Sequence, residues 1–255
     1  MTSPINQNKF NMDYLIGFDG LLSDSTLALP GFMANVQEAS LFHTFSIPGA
    51  FDYYNEMNWV WVLTHWQVEI YGYPKVGDKI NISTWPVRFK GYFGERGFAA
   101  ADAAGAPLLA ANSNWILLDR STLKPVRPTE HICTKYGQNY PFLLEKDFAL
   151  PKYIQNNFVP LSGHSYTTTR RDIDTNKHVN NVKYLEWMYC HIPDNIYHNY
   201  RAKSLKVAYK KETLLGDSLE IKLFQRSQGD DIEIFTIIEK NTQTATEIYT
   251  LWQEV

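Results

Sequence analysis

Asp174, Asn176 and His178 stand at every second position of Asp174-Thr-Asn176-Lys-His178-Val179-Asn180-Asn181-Val-Lys-Tyr184. In an extended segment that spacing turns a carboxylate, an amide and an imidazole to the same side of the backbone. From Val179 the period changes. Asn180, Tyr184, Trp187 and His191 fall at helical spacing, so a helix is expected to begin there. Three polar side chains would then meet a helix N-terminus, whose unpaired backbone N–H groups favour negative charge. Such a group could polarise a carbonyl and activate a water.

Hydrolysis of an acyl thioester would need a water aimed at the carbonyl carbon, a base for its proton and donors for the oxyanion. Asp174 is suited to position or activate the water, and Asn176 to orient the water or the carbonyl oxygen. His178 could donate to the carbonyl oxygen or pass a proton to the leaving thiolate. The backbone N–H groups of Val179 and Asn180 would complete the oxyanion site. Taken singly, each side chain is explained by helix capping. One helix needs one cap, and the cluster exceeds that need.

The elements that must hold these residues are written twice. Val68 to Ile82 and Val207 to Ile221 share a strand-like run, a Gly-Asp pair nine positions after the Val (Gly77-Asp78, Gly216-Asp217) and an alternating strand beyond it. Gly-Asp between such runs reads as a turn. Asp102 and Trp115 repeat the spacing of Glu239 and Trp252. A helix is expected before each strand block: Pro30 to His43, with Pro in the first turn, and Val179 to Ile192, stopped by Pro193. Each half is thus one helix followed by antiparallel strands, and an apolar helix face must be covered by a sheet. The expected division is residues 1–128, a crossing linker over 129–165, and residues 166–255.

On the repeat, Glu212 takes the place of Tyr73, on a strand bearing Val207 and Tyr209. A charge where the duplicate has an aromatic is either an exposed edge residue or a functional substitution. The first half has no sequence counterpart of Asp174-x-Asn176-x-His178, so chemistry is expected in one half and binding of the substrate tail in the other. Phe32, Met33, Trp59, Trp61 and Trp66 could line a tunnel for that tail or simply form the core.

A net charge of −3 argues against a nucleic-acid binder. Cys133 and Cys190 stand far apart and in no metal-ligand spacing, which suggests a reducing compartment and no disulfide framework. The N-terminus lacks the apolar run of a signal peptide, and no stretch reaches transmembrane length. A cytoplasmic protein without membrane association is expected.

The residues now quoted resemble a known family. Asp174-x-Asn176-x-His178-Val179-Asn180-Asn181-x-x-Tyr184-x-x-Trp187 is similar to the active-site block of the acyl-acyl carrier protein thioesterases, the plant plastid enzymes and their bacterial relatives. Met33 to His43, Trp59 to Trp85, Ser113 to Arg120 and Tyr209 to Glu212 resemble further segments, so the likeness runs from about Met12 nearly to the C-terminus. It implies an α+β double hotdog, two helix-wrapped antiparallel sheets in tandem. It implies Asp174, Asn176, His178 and Glu212 as the catalytic set, no metal or organic cofactor, and hydrolysis of long-chain acyl thioesters of the carrier to free fatty acid. Plant members have a Cys directly after the carboxylate matched by Glu212, whereas this chain has Thr213. Carboxylate-assisted attack by water therefore fits better than a thiol nucleophile.

The implied partner, acyl carrier protein bearing an acyl-phosphopantetheine, is acidic. Arg170, Arg171, Lys177, Lys183, Lys210 and Lys211, with Arg201, Lys203 and Lys206 nearby, could dock it or form an ordinary solvated surface. A homodimer of such chains is compatible with this reading. The rival readings are an acyl-CoA thioesterase of the same fold, a hotdog dehydratase and a non-catalytic acyl-binding hotdog protein.

Overall fold

Gly77 and Gly216 adopt φ angles of 85° and 84°, a left-handed conformation that glycine enters without steric cost. The Asp after each locks the turn: Asp78 Oδ2 accepts from the Lys75 N–H at 2.8 Å, and Asp217 Oδ2 from the Leu214 N–H at 2.7 Å. The alternating runs on either side become the strands β2 (Trp59–Ile70) and β3 (Lys79–Lys90) in one case, β7 (Tyr200–Tyr209) and β8 (Ser218–Gln228) in the other. The two Gly-Asp turns of the sequence repeat are thus one local structure built twice.

The computed structural model describes residues 9–137, 140–153 and 157–255. It divides into two units, Met1–Thr64 with Tyr71–Lys146, and His65–Ile70 with Asp147–Val255. In the first, β1 (Phe10–Leu15), β3, β4 (Phe93–Asp102), β5 (Pro107–Asp119) and β2 are neighbours in that order. The β1–β3, β3–β4 and β4–β5 pairs are antiparallel. Helix α1 (Leu29–Ser46) lies against β1 and β3, burying Leu29, Phe32, Met33, Val36, Ala39 and His43. These recur every three or four residues, the stripe that a helix on a sheet must have. Two short helices, α2 (Ala50–Glu56) and α3 (Glu130–Tyr136), close a second core of Ala50, Tyr54, Leu117, Ile132 and Tyr136.

In the second unit the order is β2, β7, β10 (Gln243–Glu254), β9 (Asp231–Lys240), β8 and β6 (Val159–Thr167). Every neighbouring pair is antiparallel. Helix α4 (Asn181–Cys190) buries Val182, Tyr184, Leu185, Trp187 and Met188 and lies against β8. A short helix, α5 (Asp194–Asn199), follows Pro193. Of the large side chains weighed as tunnel or core, Phe32, Met33 and Trp66 are core, while Trp59 and Trp61 stay partly accessible. Glu212 lies beyond the end of β7, in the loop to β8. The expected strand placement is thereby corrected: the ladder between β7 and β10 ends at Tyr209.

Candidate active site

The segment Asp174–His178 is a tight hairpin rather than an extended strand. Ile173 and Val179 form an antiparallel bridge, and between them Lys177 takes a φ of 68°. The Asp174 N–H donates to the His178 carbonyl at 2.8 Å, and the Lys177 N–H to the Asp174 carbonyl at 3.0 Å. Asp174 Oδ1 accepts from the N–H groups of Asn176 at 2.8 Å and His178 at 3.3 Å. Asp suits such a position because its short carboxylate reaches amides two residues on. One oxygen of Asp174 thus builds the loop, while Oδ2 has no hydrogen-bond partner among the described residues. Asn176 is exposed in the hairpin.

Helix α4 starts two residues later than expected. Asn180 is its N-cap, and Asn180 Oδ1 accepts from the Val182 N–H at 3.0 Å. The amides expected to receive an oxyanion are already engaged: the Val179 N–H donates to the Thr213 carbonyl at 2.9 Å and the Asn180 N–H to the Asp172 carbonyl at 2.8 Å. Neither can serve an oxyanion without breaking a backbone bond, so both are withdrawn from that role.

The Val179–Thr213 bond does something else. It lashes the hairpin to the loop after β7 and brings His178 Nε2 to 3.3 Å from Glu212 Oε2, with side-chain exposures of 40% and 45%. The Glu212 loop is itself held. Thr168 Oγ1 donates to the Leu214 carbonyl at 2.6 Å, and Lys240 pairs with Asp217 at 2.6 Å. Partial burial works against ionisation of Asp217, but Lys240 and the Leu214 amide outweigh it and hold the carboxyl below the usual range.

The first unit carries the same backbone without the chemistry. Leu21 and Leu27 form the bridge, Ser25 takes a φ of 66°, the Leu22 N–H donates to the Thr26 carbonyl at 2.7 Å and the Ser25 N–H to the Leu22 carbonyl at 3.0 Å. Even the occupied amides recur, with the Leu27 N–H on the Pro74 carbonyl and the Ala28 N–H on the Gly20 carbonyl, both at 2.8 Å. Leu22, Asp24, Thr26 and Tyr73 therefore stand where the second unit has Asp174, Asn176, His178 and Glu212. The hairpin and its amide bonds belong to the fold; only the side chains distinguish the site.

Arg170, Arg171 and Lys177 are exposed and have no ion-pair partner among the described residues. Lys183 and Lys210 are paired with Glu186 and Glu247, and Lys211 donates to Gln243. Burial raises both thiols, Cys133 packs against the aromatic core of the first unit, and Cys190 ends α4, so neither is an activated nucleophile. Among the described residues no group of three or more His, Cys, Asp or Glu could hold a metal, and no helix is long and apolar enough to cross a membrane. Sequence reasoning missed the supports of the site. Asp172 is buried and accepts from Tyr166 at 2.9 Å and from the Thr169 N–H at 2.6 Å. Its signal was the Thr-x-x-Asp spacing of a capping box at Thr169–Asp172.

Known proteins share this organisation. The family model for the acyl-ACP thioesterase N-terminal domain matches residues 7–136, and that for the C-terminal domain residues 160–254. A chloroplastic palmitoyl-acyl carrier protein thioesterase of Arabidopsis thaliana is 30% identical over 220 residues, covering 81% of this chain and 51% of that protein. Its counterpart in Gossypium hirsutum is 25% identical, covering 94% and 57%. The chain thus spans about half the length of the curated relatives it matches. Among solved structures, a 12:0-ACP thioesterase from Umbellularia californica superposes with a TM-score of 0.86 at 19% identity, covering 97% of this chain and 94% of that one. An acyl-ACP thioesterase from Bacteroides thetaiotaomicron superposes at 0.80 and 21% identity, covering 96% and 98%. At these identities the superpositions establish the fold, a double hotdog, as expected from the sequence.

Proposed function

We propose, from the premise that this chain belongs to the acyl-ACP thioesterase family, that it hydrolyses long-chain acyl thioesters of acyl carrier protein to free fatty acid and holo-carrier in the cytoplasm. The observation that carries this reading is the 3.3 Å contact between His178 and Glu212, two side chains able to move a proton, held together by a backbone bond between their loops. A water beside Glu212 or Asp174 Oδ2 loses its proton to a carboxylate and attacks the carbonyl carbon. The C–S bond then breaks, and the thiolate leaves with a proton from His178. With the Val179 and Asn180 amides engaged, the oxyanion donor is assigned to the side-chain amide of Asn176, at a neighbouring place on the hairpin.

Chemistry is assigned to the second unit, residues 166–255 of the sequence division, and the acyl tail to the first, residues 1–128. Arg170 and Arg171 beside the hairpin and Lys177 within it, without ion-pair partners among the described residues, are assigned to docking the acidic carrier and its phosphopantetheine phosphate. The test is hydrolysis of acyl-carrier and acyl-CoA thioesters across a range of chain lengths. Faster turnover of carrier thioesters is expected, and charge removal at Arg170 and Arg171 should raise KM for the carrier more than for CoA. Equal turnover of the two thioester classes would overturn the carrier assignment. Absence of hydrolysis by folded protein that still binds acyl chains would overturn the enzyme.

A further inference from the structure

Arg96, on β4 of the first unit, has no ion-pair partner among the described residues. Its Nη1 donates to His43 Nδ1 at 2.8 Å and to Thr84 Oγ1 at 3.1 Å, which uses both of that nitrogen's hydrogens. The His43 ring is therefore neutral and carries its proton on Nε2. The other edge of the guanidinium, Nε and Nη2, has no hydrogen-bond partner among the described residues. Glu95, the next residue, is engaged by Arg88 and Lys146, so its charge is already matched by cations other than Arg96. Desolvation holds the Arg96 pKa below the ordinary value, and only the phenols of Tyr136 and Tyr54 oppose it. A partly buried guanidinium gains from a ligand that supplies acceptors to its Nε–Nη2 edge.

A cavity lies beside it. Arg96 lines the cavity with Tyr54, Trp61, Phe89, Trp115 and Tyr136, and its volume is about 70 Å³. At about 10–15 Å³ for each water that is room for about five waters, or for one small polar group with a few methylenes. The polar atoms of the aromatic wall are largely satisfied, Trp61 Nε1 donating to Tyr54 Oη at 2.8 Å and Tyr136 Oη to Thr44 Oγ1 at 2.7 Å. The wall presents ring faces and the Glu95 carboxylate, whose charge Arg88 and Lys146 match, and Arg96 presents the open donors. The Nε–Nη2 edge is the fork that receives a carboxylate with two parallel hydrogen bonds.

We propose that this cavity receives a carboxylate carried on an aliphatic chain, with the oxygens on the Nε–Nη2 edge of Arg96 and the methylenes against Trp61, Phe89 and Trp115. Two sources share that chemistry: a free fatty acid, the product of the proposed reaction, and the far end of an acyl chain that is itself a carboxylic acid. Only the choice between them rests on the proposed function; the binding does not.

The test uses the whole chain, with octanoate and 1-octanol as probes of one chain length in isothermal titration at fixed ionic strength. Octanoate should bind at least about tenfold more tightly than octanol, and Arg96→Met should abolish that preference. Octanol binding as tightly as octanoate to the wild-type protein overturns the proposal whether or not Arg96→Met folds. So does an unchanged octanoate affinity in an Arg96→Met protein with native circular dichroism. In the turnover arm, competitive inhibition by octanoate identifies the product as source, and a lower KM for a monothioester of a dicarboxylic acid identifies the acyl tail. A His178→Ala protein that no longer hydrolyses but still prefers octanoate keeps this site separate from the catalytic assignment.

Discussion

Replacing Glu212 by Gln keeps the shape of the side chain and removes the charge facing His178. The two groups are 3.3 Å apart but 40% and 45% exposed, and ion pairs that accessible stabilise a protein by about 0.2–1 kcal/mol. In a chain of this size about 1 kcal/mol lowers Tm by roughly 2–4 °C, so the variant should stay folded at assay temperature. Loss of a positioned general acid or base costs about 10²–10⁴ in rate, or about 2.7–5.4 kcal/mol of transition-state stabilisation. The catalytic effect thus exceeds the stability effect several-fold, and misfolding cannot stand in for it. The pair also makes a coupling prediction. If Glu212 acts on the reacting water through His178, the double variant Glu212→Gln, His178→Ala should lose little more than the worse single one, because groups acting as a unit are not additive. Single-turnover hydrolysis of an acyl-carrier thioester, with thermal unfolding of each variant, measures both. A folded Glu212→Gln protein within threefold of wild type would refute the reasoning; two single losses that multiply in the double variant would show instead that Glu212 and His178 act at separate proton transfers.

Asp174 separates loop building from chemistry. Asp174→Asn keeps an acceptor for the Asn176 and His178 amides and should retain the fold, yet lose about 10²-fold in rate if the carboxylate takes part in proton transfer; wild-type turnover would show that the loop is all it provides. Gly97→Ala should destabilise the first unit by about 1–3 kcal/mol in urea titration, because a Cβ there would stand 2.6 Å from Trp85, which is only 4% exposed and bonded through Nε1 to the Pro141 carbonyl. Burial, helped by Arg96, lowers the His43 pKa from 6.5 to about 3. Between those values the unfolded chain binds one proton more than the folded one, so this contribution is intact above the unfolded value and shrinks as pH falls. From pH 6.5 to about pH 4.5 the group should remove about 2–3 kcal/mol, a slope that His43→Gln should flatten while leaving Arg96 an acceptor.

What the sequence made legible follows from how local each cause is. The Gly-Asp turns were readable because a left-handed residue and an aspartate three positions past an amide are local needs, met identically at Gly77 and Gly216. Helix α1 was readable because its buried stripe is long. Helices α2, α3 and α5 have 7, 7 and 6 residues, too few for a periodic signal and dependent on packing for their stability. The hairpin misled for a different reason. Alternation of Asp, Asn and His suits an extended strand, but it also results when an aspartate caps amides two and four residues on. The left-handed residue is Lys177, which announces nothing. Glu212 could be nominated from the repeat, but its contact with His178 depends on the Val179–Thr213 bond between distant loops, which no local pattern encodes.

The duplicated hairpin also narrows what evolution of such a site requires. The backbone of Leu22–Thr26 shows that the bridge, the left-handed fourth residue and the engaged amides exist where no imidazole or facing glutamate is present. Each hairpin still needs a carboxylate acceptor for its inner amides. In the first unit Asp24 supplies it, accepting from the Thr26 N–H at 3.0 Å. In the second the acceptor has moved to the entry of the hairpin, at Asp174, and the place equivalent to Asp24 holds Asn176. The change leaves the loop satisfied, puts an amide where the structural carboxylate stood, and adds a carboxylate oxygen not used by the loop. With Thr26 and Tyr73 replaced by His178 and Glu212, four side-chain differences on one backbone separate a structural turn from a set of groups able to move a proton and meet a carbonyl. The fold had already met the cost of placing them.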